Sequence, residues 1–186
     1  MVREASSGRL GLRSFGFGVG AMVILGGVAL ATDEAFVFPS LGPTAFLLVA
    51  EPLLPTACPR NTILGHLVGV LAGYLALLAF GLTDNPSAFA AGGDGITAAR
   101  VGAAALALGV TSGVMVWWRV VHPPAGATTL IVALGVLRAP SELAVLMLAV
   151  AVLLLLGSVL NRTTGVPYPV WGASSAAPPT TPPGAP

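Results

Sequence analysis

The sequence predicts an all-α integral membrane protein. Hydrophobic residues make up 55% of the 186 residues and charged residues only 8%, and the mean hydropathy is +0.92. Soluble globular domains carry about 25% charged residues, so this chain has too few charges to cover a water-exposed surface. The length corresponds to one domain. The composition therefore excludes a soluble protein and directs attention to long apolar segments.

Apolar runs between polar residues and prolines define six candidate helices. They cover residues 15–31, 41–50, 62–82, 101–118, 125–137 and 141–160. A helix needs about 20 residues to cross the hydrocarbon core, so the second and fifth runs are too short. Arg138, Pro140 and Glu142 separate the last two runs. We therefore expect four long transmembrane helices and two short helices that are broken or re-entrant.

The two short runs begin alike. At an offset of 84 residues, the block PSLGPT at 39–44 aligns with PPAGAT at 123–128, and Pro, Gly and Thr coincide. Each block opens a short run that lies between two long ones. This order predicts an inverted internal repeat with three crossings per copy, an architecture that secondary transporters use.

The Arg residues near the helix ends predict the orientation. If both short helices cross the membrane, six Arg lie on one side and two on the other; if both re-enter, the division is five to three. The positive-inside rule favours the first arrangement. We therefore predict a multi-pass protein of the bacterial inner membrane with a cytoplasmic N-terminus.

Both ends of the chain differ from its middle. Residues 1–14 carry three of the eight Arg residues and are predicted to form a cytoplasmic N-terminal segment before the transmembrane domain, residues 15–160. Beyond that domain lie seven of the sixteen prolines. A segment rich in Pro, Ser and Thr has little to bury, so residues 161–186 are predicted to be a disordered tail.

Several functional classes find no support in the sequence. The chain has no Lys and its Arg residues stand singly, whereas nucleic-acid binders carry basic clusters. The single Cys58 and two distant His residues make a poor metal site. No catalytic triad, P-loop or metalloprotease motif is present. We expect no enzyme, no metal, no cofactor and no nucleic-acid partner.

The starts of the two short helices are candidate anion sites. Proline suits a first helical turn, and free N–H groups at a helix N-terminus bind anions. The predicted binding residues are Gly42 and Thr44 in the first block and Gly126 and Thr128 in the second, with Pro123 and Pro124 as structural residues. The alternative is that these residues only cap two short buried helices.

Ionisable residues flank these two blocks. Arg60 and Asn61 open the third run, and Arg119 follows a tryptophan pair typical of a membrane interface. All three are candidate anion-binding residues, and Arg60 or Arg119 is predicted to attract the anion. Glu51, His66 and His122 are candidates for proton coupling, because ionisable groups at membrane depth are often functional. His122 is also predicted to bind the anion. Glu51 is paired with Arg60 in this interpretation. Ordinary loop or packing roles are the alternatives.

Small residues recur every four positions on two of the long runs. The first set is Gly65, Gly69 and Gly73, and the second is Ala105, Gly109 and Gly113. Such faces let membrane helices approach closely. They predict close packing within one chain or between copies of the chain in a homo-oligomer.

Three ordered blocks resemble the HPP family of integral membrane proteins. They are HPPAGAT at 122–128, SLGPTA at 40–45 and PRN through GH at 59–66, and the resemblance extends over about residues 15–160. The family is described as having four transmembrane helices. Its plant chloroplast members are associated with nitrite transport, so the resemblance implies translocation of a small anion.

The predicted function is membrane transport of a small monovalent anion, nitrite above all, with proton linkage as a further hypothesis. The expected partners are the anion, the lipid bilayer and further copies of the chain. One alternative is a non-transporting membrane scaffold or accessory subunit, which the small-residue faces also fit. Another is an intramembrane enzyme that uses His122, His66 or Glu51 as acid or base.

Overall fold

A computed structural model describes residues 2–91 and 93–173 of the chain. In that part of the chain all regular structure is helical, which confirms the all-α fold. The helices are α1 (Val2–Thr32), α2 (Leu41–Ala50), α3 (Pro59–Ala79), α4 (Ala98–Trp117), α5 (Ala125–Ala133) and α6 (Pro140–Thr163), with a 3₁₀ turn at Pro55–Ala57.

Four helices are long and apolar enough to cross a membrane, as predicted. Their candidate spans are Ser7–Thr32, Pro59–Ala79, Ala98–Trp117 and Pro140–Thr163. Local chemistry sets several of their starts. Proline occupies the first turn of α3 and α6, where its missing N–H costs nothing. The Glu142 carboxylate accepts the amides of Arg138 at 2.7 Å and Ala139 at 2.8 Å, which caps α6.

Two helix ends differ from the prediction. Helix α1 begins at Val2, so residues 2–14 continue the first helix instead of forming a separate segment; no proline interrupts them. Helix α5 ends at Ala133 instead of residue 137. There Gly135 adopts a φ of +73°, a left-handed conformation that ends helices.

The glycines of α3 determine where α5 lies. A Cβ on Gly65 would lie 2.7 Å from the Cβ of His122, one on Gly69 2.8 Å from the Ala125 oxygen, and one on Gly73 2.7 Å from the Cβ of Val132. Successive turns of α3 therefore contact successive parts of the chain leading into α5. The two helices run in the same direction, and α5 begins near the middle of α3.

Helix α2 begins at the same depth as α5, near the middle of α3, and runs in the direction opposite to α5. The Asn161 side chain donates to the Leu48 oxygen at 2.7 Å and accepts from Arg13 at 2.5 Å. These contacts place the C-terminal end of α2 beside the N-terminal half of α1. The N-terminal end of α2 contacts α5, because the hydroxyls of Ser40 and Thr128 lie 2.7 Å apart. The short helices thus meet N-terminus to N-terminus and run apart; the inverted repeat itself stays a prediction.

The second small-residue face lies on the outside of the molecule. Ala105 and Gly109 on α4 are exposed, and no heavy atom lies within 4 Å of a Cβ built on Gly109. Large apolar side chains also point outward, among them Phe15, Leu75 and Leu155, each more than 60% exposed. Such a surface suits lipid chains or another apolar surface.

Part of the predicted tail packs on the helices. Residues 161–163 belong to α6, and the buried Tyr168 donates its hydroxyl to the Ala57 oxygen at 2.6 Å. The Arg60 amide donates to the Trp171 oxygen at 2.9 Å. Residues 161–173 are therefore ordered, because Tyr168 supplies the buried ring that the composition argument overlooked. The rest of the predicted tail, residues 174–186, lies outside the described residues.

Candidate functional site

Five buried polar side chains meet where α2 and α5 begin, and we call them the hydroxyl–imidazole cluster. Ser40 precedes α2, Thr44 lies in its first turn, His66 lies in α3, His122 precedes α5 and Thr128 lies in its first turn. All five side chains have 0% exposure. Four of them, all except Ser40, were predicted as binding or coupling residues, and the structure brings them together.

Hydrogen bonds connect the whole cluster. The Thr128 hydroxyl lies 2.7 Å from the Ser40 hydroxyl and 2.7 Å from His66 Nδ1. The Thr44 hydroxyl lies 3.0 Å from His66 Nε2 and 3.3 Å from His122 Nε2. The two imidazole rings are tilted, with centroids 4.9 Å apart. One hydroxyl therefore stands between two histidines.

The Thr56 carbonyl fixes the role of His122. Its oxygen lies 2.7 Å from His122 Nδ1, and a carbonyl only accepts, so this nitrogen carries the proton. Nε2 of the neutral ring is then an acceptor, and the Thr44 hydroxyl is positioned to donate to it.

The Thr44 hydroxyl has one proton and three acceptors in reach. Two of these acceptors are His66 Nε2 and His122 Nε2. The third is the backbone carbonyl oxygen of Ser40, which lies 2.8 Å from the Thr44 hydroxyl. When the Thr44 proton points to His122 Nε2, the contact with His66 is satisfied only if His66 carries its proton on Nε2 and donates it to the Thr44 oxygen. His66 Nδ1 is then an acceptor for the Thr128 hydroxyl. This assignment satisfies both rings and runs as one directional chain from Ser40 to Thr56. Moving the Thr44 proton to another acceptor leaves His122 Nε2 without that donor.

The cluster contains no charged side chain. Its hydroxyls and imidazoles present hydrogen-bond donors and acceptors; imidazole can bind a metal ion, but the five residues of the cluster include only two histidines and no carboxylate or thiolate. Among the described residues, no group of three His, Cys, Asp or Glu is arranged to hold a metal ion. The chemistry available is hydrogen bonding to a small polar solute and movement of protons along hydrogen bonds.

The backbone of α5 does not offer the predicted free N–H groups. The amides of Ala125, Gly126 and Ala127 donate to the carbonyls of the three preceding residues, His122, Pro123 and Pro124, at 3.0–3.1 Å. The HPP stretch winds into tight turns that satisfy these amides locally. These three amides are therefore not free in this structure, and the donors at this end come from side chains.

A groove borders the cluster. It is about 500 Å³ in volume and is lined by Gly42, Pro43, Phe46, Leu47, Pro123, Pro124 and Ala127. Its polar lining is small, and its residues are sequence neighbours of Ser40 and Thr128. Gly42 thus lies on the groove, next to the cluster. Gly126 faces the other way, toward a Leu108 methyl 3.6 Å from a Cβ built on it.

Arg60, Asn61 and Arg119 lie outside the cluster. Arg60 donates to the oxygens of Trp118 at 3.3 Å and Arg119 at 3.4 Å. Asn61 donates to the Val121 oxygen at 3.4 Å. These bonds tie the loop before α5 to the start of α3. Arg119 itself is exposed, with a φ of +54°.

Glu51 does not pair with Arg60. It is exposed at the C-terminal end of α2, and the Arg60 guanidinium is directed to carbonyls instead. No Glu51–Arg60 ion pair occurs in the described residues. The pairing was inferred from nearness in sequence, but the 3₁₀ turn at Pro55–Ala57 lies between the two residues.

Sequence reasoning missed Ser40 and the Thr56 carbonyl. Ser40 belongs to the block that was singled out, so its position before Thr44 was the signal available. The Thr56 contact had no signal, because a backbone oxygen carries no sequence information. A second buried hydroxyl pair, Thr111 with Thr129 at 2.9 Å, was also unforeseen and lies between α4 and α5.

Comparisons with known proteins agree with this architecture. A transmembrane protein of Dictyostelium discoideum is 30% identical over 104 residues, which cover 56% of this chain and 29% of that relative. The chain thus matches less than a third of the relative's length. No solved structure matches the chain. The sequence profile of the HPP transmembrane region matches residues 4–169, and the chain therefore belongs to the HPP family of transmembrane proteins.

Proposed function

We propose that this protein transports a small monovalent anion across the membrane, with nitrite as the first substrate to test. One observation carries the proposal: two antiparallel short helices meet at a buried, uncharged polar cluster halfway along α3. Transporters commonly bind their substrate where broken helices meet near the bilayer midplane.

The donors of the hydroxyl–imidazole cluster suit an anion that only accepts hydrogen bonds. The hydroxyls of Ser40, Thr44 and Thr128 are bonded to each other or to His66. An anion arriving from the adjoining groove would take the place of these internal partners. Because the cluster is closed and fully buried, transport requires a conformational change that separates the starts of α2 and α5.

Proton linkage is the second part of the proposal. The chain of hydrogen bonds that joins Thr128, His66, Thr44 and His122 offers a route along which a proton is passed. Arrival of an anion at Thr44 would interrupt that route and favour a protonated imidazole beside it, because opposite charges attract strongly at low dielectric. Coupling is therefore assigned to His66 and His122, and Glu51 lies apart from them.

The test is nitrite flux into proteoliposomes that hold the purified protein and a pH-sensitive dye. We expect nitrite uptake accompanied by a change of internal pH. His122→Gln should abolish the pH change, whereas Thr111→Val, which alters a buried hydroxyl outside the cluster, should retain it. If folded protein carries neither nitrite nor a similar anion, the proposal is wrong and a non-transporting accessory subunit becomes the better interpretation.

We propose further that the protein is a homo-oligomer in the bacterial inner membrane with its N-terminus in the cytoplasm. The exposed small residues Ala105 and Gly109 support contact between copies through α4. Gly109→Leu is expected to lower the oligomer mass measured in detergent by light scattering. An unchanged mass would remove α4 from the interface.

A further inference from the structure

A second polar feature lies at the far end of the molecule from Arg60 and Arg119. Arg100 in the first turn of α4 is 2% exposed. Its guanidinium lies over Gly135, where a Cβ would come within 2.8 Å of Nη1. A side chain at position 135 would displace the guanidinium, and the φ of +73° favours glycine there. The fold thus buries a cation beside the C-terminal end of α5.

The hydrogen bonding of Arg100 is incomplete. Nη2 donates to the oxygens of Pro86 at 2.6 Å and Asn85 at 3.3 Å. Nη1 is buried and has no hydrogen-bond partner. Buried charged donors are normally satisfied, and leaving one unpaired is costly.

A second guanidinium converges on the same acceptor. Arg138, half-buried in the connection between α5 and α6, also donates to the Asn85 oxygen. In the described ranges 2–91 and 93–173, neither guanidinium forms an ion pair with a carboxylate. Glu142 lies near Arg138 but its bonded oxygen accepts two backbone amides, and Asp94 acts on Arg100 only at longer range. Two positive groups share one neutral oxygen.

We propose that Arg100 and Arg138 form a binding site for a small oxyanion, separate from the hydroxyl–imidazole cluster. Two guanidinium groups offer forked donors that match the oxygens of an oxyanion, and such charge-assisted bonds are strong. The shared chemistry fits either a free oxyanion or the phosphate of a lipid headgroup. Binding would neutralise the paired cations and supply acceptors for their remaining N–H groups. The proposal does not depend on transport.

The test is thermal unfolding of the delipidated full chain in detergent. The probes are sodium nitrite, sodium phosphate and short-chain dihexanoyl phosphatidylglycerol. Sodium chloride balances the ionic strength, because a monatomic ion cannot engage a guanidinium through two oxygens. We expect the unfolding temperature to rise and saturate with at least one probe. A rise with the inorganic salts identifies a free oxyanion as the ligand, and a rise with the lipid alone identifies a headgroup.

Matched variants separate this site from general salt effects. Arg138→Gln should raise the half-saturating concentration at least about tenfold, because one charge-assisted pair is lost. Arg162→Gln removes an equal charge from an exposed residue of α6 and should leave saturation unchanged. If Arg138→Gln does not fold, Arg138→Lys keeps the charge without the fork and should bind several-fold more weakly. No stabilisation by any probe, or equal saturation in the Arg138 variant, would overturn the proposal.

Discussion

The hydroxyl of Thr44 joins the two histidines of this protein. It lies within 3.3 Å of one nitrogen on each ring, and His122 Nδ1 is committed to the Thr56 oxygen. The residue types at this site were predictable, since both threonines and both histidines lie in motif blocks. Their arrangement was not, because His66 and Thr128 come together only through packing along the glycines of α3.

Removing this hydroxyl should be more costly than its size suggests. Thr44→Val leaves two buried imidazole nitrogens without a partner, and we expect a loss of about 1–3 kcal/mol in the free energy of unfolding. Thr44→Ser keeps the hydroxyl and should retain most of the free energy of unfolding of the natural chain. Unfolding in mixed detergent micelles measures both variants. Equal stability of the Val and Ser variants would show that the hydroxyl bridges nothing.

The helices were predictable largely from composition and proline positions. Apolar runs gave the four long helices because membrane thickness sets their length. The N-terminal extension of α1 and the packing of residues 164–173 were not foreseen. The arginines of residues 2–14 are compatible with a helix that extends beyond the apolar core. After α6, the burial of Tyr168 orders a segment whose proline-rich composition predicts disorder.

The close approach of α3 to α5 depends on glycine. In Gly69→Ala the new Cβ would lie 2.8 Å from the Ala125 oxygen and 2.9 Å from the Thr129 hydroxyl, so we expect destabilisation of about 1–3 kcal/mol. Gly109→Ala on α4 meets nothing within 4 Å and should not destabilise the chain, because alanine favours a helix interior by about 1 kcal/mol over glycine. The same unfolding assay compares them. Similar effects of the two substitutions would contradict the tight helix contact.

The segment after α6 is held by Tyr168. Its hydroxyl bonds to the Ala57 oxygen at 2.6 Å, so Tyr168→Phe should cost about 1 kcal/mol. Burial, with a smaller contribution from Cys58, raises the pKa of Tyr168. In the unfolded chain tyrosine ionises near pH 10, so stability should fall as pH rises above that value.

Unfolding of Tyr168→Phe between pH 8 and pH 11 checks this pKa assignment. The variant should lose less stability at high pH than the natural chain does. The chain has no Lys, which leaves few other groups to titrate in this range. An identical decline in both proteins would show that Tyr168 is not buried as described.

At the scale of the whole molecule, the two short helices run in opposite directions from a common depth. Leu48 of α2 is linked through Asn161 to Arg13, and Thr32 lies 19 residues further along α1, about 28 Å away at 1.5 Å per residue. Glu34 and Glu51 therefore lie near opposite ends of the molecule. The pattern of Arg residues favours crossing over re-entrant short helices, and this stays a prediction; sequence alone did not show that the helix starts meet.

Cysteine labelling distinguishes the two topologies. In a Cys58→Ser background, Glu34→Cys and Glu51→Cys should react with a membrane-impermeant maleimide from opposite sides of oriented vesicles. Both positions are exposed, and both substitutions remove the same charge. Labelling of both from one side would indicate that α2 re-enters and would contradict the described arrangement.

The central claim is that the meeting point of α2 and α5 carries the anion. Nitrite flux in proteoliposomes should therefore be compared for the natural chain, the double variant Thr44→Val with Thr128→Val, and Thr111→Val as a folded control with an equally buried hydroxyl. We predict that the double variant, shown to be folded, loses nitrite flux while the control retains it. Normal flux in the folded double variant would show that the anion does not pass through the hydroxyl–imidazole cluster.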